Sequence, residues 1–146
     1  MKYVYLVLSI LLTAFIFGMS AETGEQSASL SLSLAQWVEG VLEAVFPAWN
    51  VDLDTLHLVI RKAAHVTEYG LLGILYVLTL LSFRLPLWVA VAAGLAVAIG
   101  DEASQFLSEG RGPSLLDALA FDFPGFLLGA GITARLFKTY SGKKRL

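Results

Sequence analysis

Cysteine is absent from this 146-residue chain, and histidine occurs only twice. The first absence excludes disulfides, thiolate metal sites and a cysteine nucleophile. The second leaves too few imidazoles for an all-histidine metal centre. Charge is scarce as well. Only 15% of the residues are Asp, Glu, Lys or Arg, against about 25% in a soluble domain. The chain has no phosphate-binding glycine loop, no nucleophile elbow and no basic groove, so nucleotide chemistry, serine acyl transfer and nucleic-acid partners have no support.

What the chain does have is apolar length. Hydrophobic residues make up 57% of it, and its mean hydropathy is +0.73. The length suits one compact unit, and the composition makes lipid its main solvent. A membrane-crossing helix needs about 20 mostly apolar residues. Four segments qualify, at about 3–19, 63–83, 85–107 and 115–137. A backbone in lipid must satisfy its own hydrogen bonds. The expected fold class is therefore all-α, a polytopic four-transmembrane-helix bundle forming one domain over 1–146. Small residues recur four apart, at Ala90, Gly94 and Ala98 and at Gly125 and Gly129, which lets helices approach closely. "FPG" (Phe123 to Gly125) predicts a kink in the last helix. The first segment also reads as a possible cleaved leader, with Lys2 before it and "GMS" before Ala21.

The first connection, about 20–60, contains the serine-rich "GEQSASLSLS", which reads as a mobile loop. Residues 34–46 place Leu34, Val38, Val41 and Val45 on one helical face. With Trp37 and Trp49 this predicts an amphipathic helix on the membrane surface, or else one capping the bundle. Asp52 or Asp54 can cap the next helix, which can run on into the second span. His57 falls on that surface stretch and carries no expected role.

Cations gather at Lys2, at Arg84 and from Arg135 through the basic tail 138–146. Acids gather in the first and third connections. The positive-inside rule then puts both termini in the cytoplasm of a multi-pass cell-membrane protein, with the acidic connections outside.

"FRLP" is a very short turn, so the second and third spans form a hairpin pivoting near Leu85. Residues equally far from the pivot share a depth at 1.5 Å per residue. Glu68 comes level with Glu102, and His65 with Gln105. Arg61, His65 and Glu68 share a face, flanked by Tyr69. Asp101 joins Glu102 and Gln105 on the third span, Asp117 enters on the fourth, and the loop between them adds Arg111. One outward-opening polar pocket is the expectation. Lys62 reads as a boundary marker, and Asp122 as a lone, deeper residue at the kink.

"RKAAHVTEYGLLG" (Arg61, Lys62, His65, Glu68, Tyr69) and "GDEASQFLSEGRGPSLLD" (Asp101, Glu102, Gln105, Arg111, Asp117) resemble the two signatures of the VanZ-like family of bacterial membrane proteins. The resemblance covers roughly residues 60–129. Two departures stand out. Ser104 occupies a position where many members have histidine. Phe121 occupies one where Asn or Asp is common, with Asp122 and Gly125 one position late. The family's named member is associated with resistance to the glycopeptide teicoplanin, so the resemblance implies a cell-envelope role and an antibiotic-resistance setting.

Three functional readings follow. In the first, Arg61 and Arg111 hold the phosphate or carboxylate of a membrane lipid or lipid-linked envelope precursor. His65 with Glu68 or Glu102 then acts as a catalytic proton donor–acceptor pair, and Tyr69, Asp101, Gln105 and Asp117 complete the substrate-binding set. In the second, His65, Glu68, Asp101 and Glu102 hold a divalent metal. In the third, the chain is a non-enzymatic structural or partner-binding membrane protein. Oligomeric state is left open.

Overall fold

The computed structural model describes residues 1–48 and 51–143. Their regular structure is all helix, with no strand among the described residues. In chain order the elements are α1 (Lys2–Ser20), α2 (Gly24–Val45), α3 (Leu53–Phe83), α4 (Trp88–Gln105), α5 (Leu115–Asp117), a π-helical stretch (Ala118–Asp122) and α6 (Phe123–Lys143). Three helical stretches, Lys2–Ser20, Leu53–Phe83 and Leu115–Thr139, are long and apolar enough to cross a membrane. The expected third span is not among them. Its helix is α4, shorter than 85–107 at both ends, with Asp101, Glu102 and Gln105 in its last two turns.

The first connection differs from expectation. "GEQSASLSLS" is not a loop but the start of α2. A capping box accounts for this: the Gln26 N–H donates to the Thr23 hydroxyl at 3.3 Å, and the Gln26 side chain accepts from the Thr23 N–H at 3.2 Å. Serines along this helix donate to carbonyls three or four residues back, as Ser31 does to Ser27 and Ala28. The expected 34–46 helix is thus the second half of a longer one. Ala35 is buried, Trp37 is exposed, and α2 packs on α3. His57 bonds through Nε2 to the Ser31 hydroxyl at 2.7 Å, tying the two helices together. Trp49 lies outside the described residues, as do Lys144 and Arg145 of the tail.

Asp52 caps α3, accepting from the Thr55 N–H at 2.9 Å. Those two Thr55 donors, hydroxyl first, hold the Asp52 carboxyl below its ordinary pKa. From there α3 runs unbroken to Phe83. Arg84 closes it in a left-handed conformation (φ 58°), and the Leu85 N–H returns to the Leu80 carbonyl at 2.8 Å. The short turn then starts α4 antiparallel to α3.

Two hydroxyl pairs fasten α1 to α3 where apolar contact alone gives little direction: Ser9 with Thr79 at 3.0 Å, and Thr13 with Tyr76 at 3.1 Å. The most extensive interface is α3 against α6. A side chain on Gly73 would strike the Phe126 carbonyl, one on Gly125 the Val66 backbone, and one on Gly129 the Gly70 carbonyl. The two backbones therefore touch along three turns. Gly94 of α4 leaves room for the fully buried Phe126 ring, which meets Tyr76 edge-on at 5.5 Å.

This interface generates a prediction. Gly129→Val forces α3 and α6 apart and should destabilise the protein by about 1–3 kcal/mol or more. Gly131→Ala, where a methyl meets open space, should leave the melting temperature unchanged or slightly raised. Thermal melts in detergent compare the two.

Candidate functional site

The expected kink at "FPG" takes the form of a π turn just before Pro124, closed by a bond from the Phe123 N–H to the Ala118 carbonyl. Its consequence is chemical. Asp122, at the end of that turn, is completely buried, and its Oδ1 lies 2.9 Å from Nδ1 of His65 on α3. His65 itself remains half-exposed. The histidine's acidic partner is therefore Asp122, not Glu68 or Glu102. Periodicity hid it: in an α-helix a residue five positions after Asp117 points about 140° away. The wider π turn brings it back toward the starting face.

The other expected residues surround His65 in two adjoining cavities rather than one pocket. The first, about 220 Å³, is lined by Arg61, His65, Glu68, Asp101 and Arg111 together with residues of α1 and α2. The second, about 280 Å³, is lined by Arg61, Lys62, His65, Glu102, Gln105 and Asp117. Arg61 and His65 stand between the two. The expected level pairing of His65 with Gln105 is visible in the second cavity, whereas Glu68 shares the first with Asp101 and not with Glu102.

Several charges here serve the scaffold. Lys62, expected only to mark a boundary, pairs with Asp117 at 2.5 Å and lies 4.8 Å from the centre of the Phe121 ring. Glu102 accepts the Ser114 N–H at 2.7 Å, and the Ser114 hydroxyl in turn caps Asp117. Arg111 donates through Nε to the Glu22 carbonyl (3.1 Å) and through Nη2 to the Met19 carbonyl (2.5 Å), placing a cation at the C-terminal end of α1. Burial, and then the neighbouring Arg61 charge, push its guanidinium below its ordinary pKa. Ser108 adds a bond to the Ser20 carbonyl, and the Gly24 N–H one to the Glu109 carbonyl. The loop after α4 is thereby stitched to the α1–α2 junction.

Other charges are left open. Asp101 is 1% exposed, with neither carboxylate oxygen hydrogen-bonded, although the Tyr69 and Ser20 hydroxyls stand within electrostatic reach. The Tyr69 hydroxyl is likewise buried without a bond, as is Asp122 Oδ2. Among the described residues, Arg61 and Glu68 take part in no hydrogen bond or ion pair. No three His, Asp or Glu side chains among them come together closely enough to enclose a metal ion, so the metal reading gains nothing from the geometry.

Residues 4–138 match the VanZ/LLP1 family. The chain belongs to that family. No curated protein and no solved structure matches it. Within the family frame, the displaced Asp122 and Gly125 acquire an explanation: the π turn absorbs one extra residue, so Asp122 meets His65 although Phe121 holds the earlier position.

The division between fastening and free charges is testable. Arg111→Ala removes two charge-assisted bonds and should destabilise the protein by about 2 kcal/mol or more. Arg61→Ala breaks none and should stay within about 0.5 kcal/mol. Equal losses in thermal melts would contradict this assignment.

Proposed function

We propose that the chain is a four-span membrane protein with cytoplasmic termini, and that its outward-facing polar site acts on a membrane lipid or lipid-linked precursor of the cell envelope. The carrying observation is the His65–Asp122 pair beside two open cavities. Asp122 accepting from Nδ1 orients the imidazole and leaves Nε2 free to give or take a proton. Asp122, rather than Glu68 or Glu102, is its positioning carboxylate. Arg61 offers a guanidinium for a phosphate or carboxylate, while Tyr69, Asp101 and Gln105 supply polar contacts.

Four spans, rather than three, rest on α4. Eighteen residues rise about 27 Å, close to a hydrocarbon core of about 30 Å. Its charged end lies inside the bundle, since Asp101, Glu102 and Gln105 are all buried. The positive-inside distribution supports the orientation. In this arrangement α2 lies at the outer surface, with Trp37 and Val45 turned outward. Membership of the VanZ/LLP1 family supports, as part of this reading, a cell-envelope setting with glycopeptide-type resistance as one expression of it.

A second reading, a non-enzymatic membrane protein, draws on Lys62–Asp117, Glu102–Ser114 and Arg111 at the end of α1, all of which fasten one element to another. One experiment separates the readings. His65→Gln, expressed at wild-type level, should lower turnover by about 10²–10⁴-fold in envelope-lipid profiling, with Asp122→Asn close behind. An unchanged profile in His65→Gln would leave the non-enzymatic reading. Because the chain has no cysteine, single cysteines at Glu109 and Lys138 report orientation directly. Impermeant reagent should label the first from outside and the second only after permeabilisation.

A further inference from the structure

The open charges around the first cavity are of both signs, and no ion pair among the described residues joins them. Arg61 is half-exposed and unpaired, and its charge bears on Arg111, which faces the same space. Two guanidinium groups facing one cavity call for an anion. In the same wall Asp101 is 1% exposed with two unsatisfied oxygens, and Glu68 has no partner. A buried carboxylate whose neighbouring hydroxyls, on Tyr69 and Ser20, make no hydrogen bond to it is costly, and it calls for a cation that donates hydrogen bonds. The ion pairs among the described residues are Lys62–Asp117 and His65–Asp122, so neither joins these two sets. A purely anionic ligand would leave Asp101 and Glu68 unanswered. A purely cationic one would leave Arg61.

A third cavity lies next along α1. It holds about 490 Å³ between α1, α3 and α4, with walls of Leu6, Ile10, Phe17, Leu80 and Val89. Phe17 borders it, while Ile16, Met19 and Ser20, on the same and the next turn, border the charged cavity. One charged and the other apolar, the two neighbouring cavities together have the polarity of an amphiphile.

We infer that this space binds a zwitterionic phospholipid with a primary ammonium group, its phosphate at Arg61 and Arg111, its ammonium at Asp101 and Glu68, and an acyl chain along α1. The inference rests on the membrane reading above and names the ligand class of that site. It does not depend on proton transfer at His65. A primary ammonium has three N–H donors for the unsatisfied carboxylates, which a quaternary ammonium lacks.

Native mass spectrometry of the purified full chain, incubated with phosphatidylethanolamine, phosphatidylcholine and phosphatidylglycerol of identical chains, tests it. Phosphatidylethanolamine should be retained about tenfold over the other two. Arg61→Gln should weaken all three, because the phosphate contact is shared. Asp101→Asn should abolish the preference for phosphatidylethanolamine over phosphatidylglycerol. If Asp101→Asn does not fold, Glu68→Gln, at a half-exposed position, should at least halve that preference. Ala14→Phe, which fills the apolar cavity, should weaken diacyl lipids and leave glycerophosphoethanolamine binding unchanged. Equal retention of the three lipids by the wild type would overturn the inference, as would a preference that survives both Arg61→Gln and the carboxylate variant. The same lipid ordering in His65→Gln would support ligand selectivity even where the proton-transfer reading fails.

Discussion

Backbone contact between α3 and α6 sets the position of Asp122 against His65. Inside a bilayer, apolar side chains gain little by leaving lipid for protein, so helices associate through close packing and a few polar bonds. Gly73, Gly125 and Gly129 remove the side chains that would hold the two helices apart. The contact fixes both the depth and the rotation of α6 against α3, and the π stretch at its outer end is positioned by it. Without that approach, Asp122 would not reach Nδ1 of His65.

The π turn completes what the glycines begin. A turn that admits one extra residue changes which side chain faces the neighbouring helix without moving the rest of α6. Here it buries a carboxylate entirely and gives it one partner on another helix. Such a pair is expensive to assemble in a low-dielectric interior and is retained only where geometry holds both members. Asp122 is surrounded by Phe123, Phe126 and Ala118 in sequence, on the same side as the apolar core. The α3–α6 approach itself is made by the glycines.

Much of this was legible in the sequence. Apolar length located α1, α3 and the last helix, and the "FRLP" turn with a constant rise per residue brought His65 level with Gln105. Those inferences rest on period and distance along a regular helix, which sequence encodes directly. What escaped notice lies where regularity fails. Serine content suggested a loop at 24–33, yet hydroxyls that bond back to their own carbonyls are compatible with a helix once Thr23 and Gln26 cap its start. Asp122 was displaced from the site face by an assumed α period. Arg111 was legible as a cation near the pocket, but nothing in the sequence signalled that the end of α1 would come to it across 92 positions.

The cluster is best understood by what its charges do once the fold is complete. Lys62, Glu102 and Arg111 each neutralise or cap a specific group, and the loop after α4 and the ends of two helices are held through them. A cluster whose purpose was fastening alone would be expected to pair its remaining members in the same way, because each unsatisfied buried group lowers stability. Arg61, Glu68 and Asp101 remain open at a cavity instead. Rigid supports on the outside and unsatisfied groups within are the arrangement the proposed binding site would need, since the supports keep the open charges apart. In the proposed reading, a ligand of matching charge satisfies those groups.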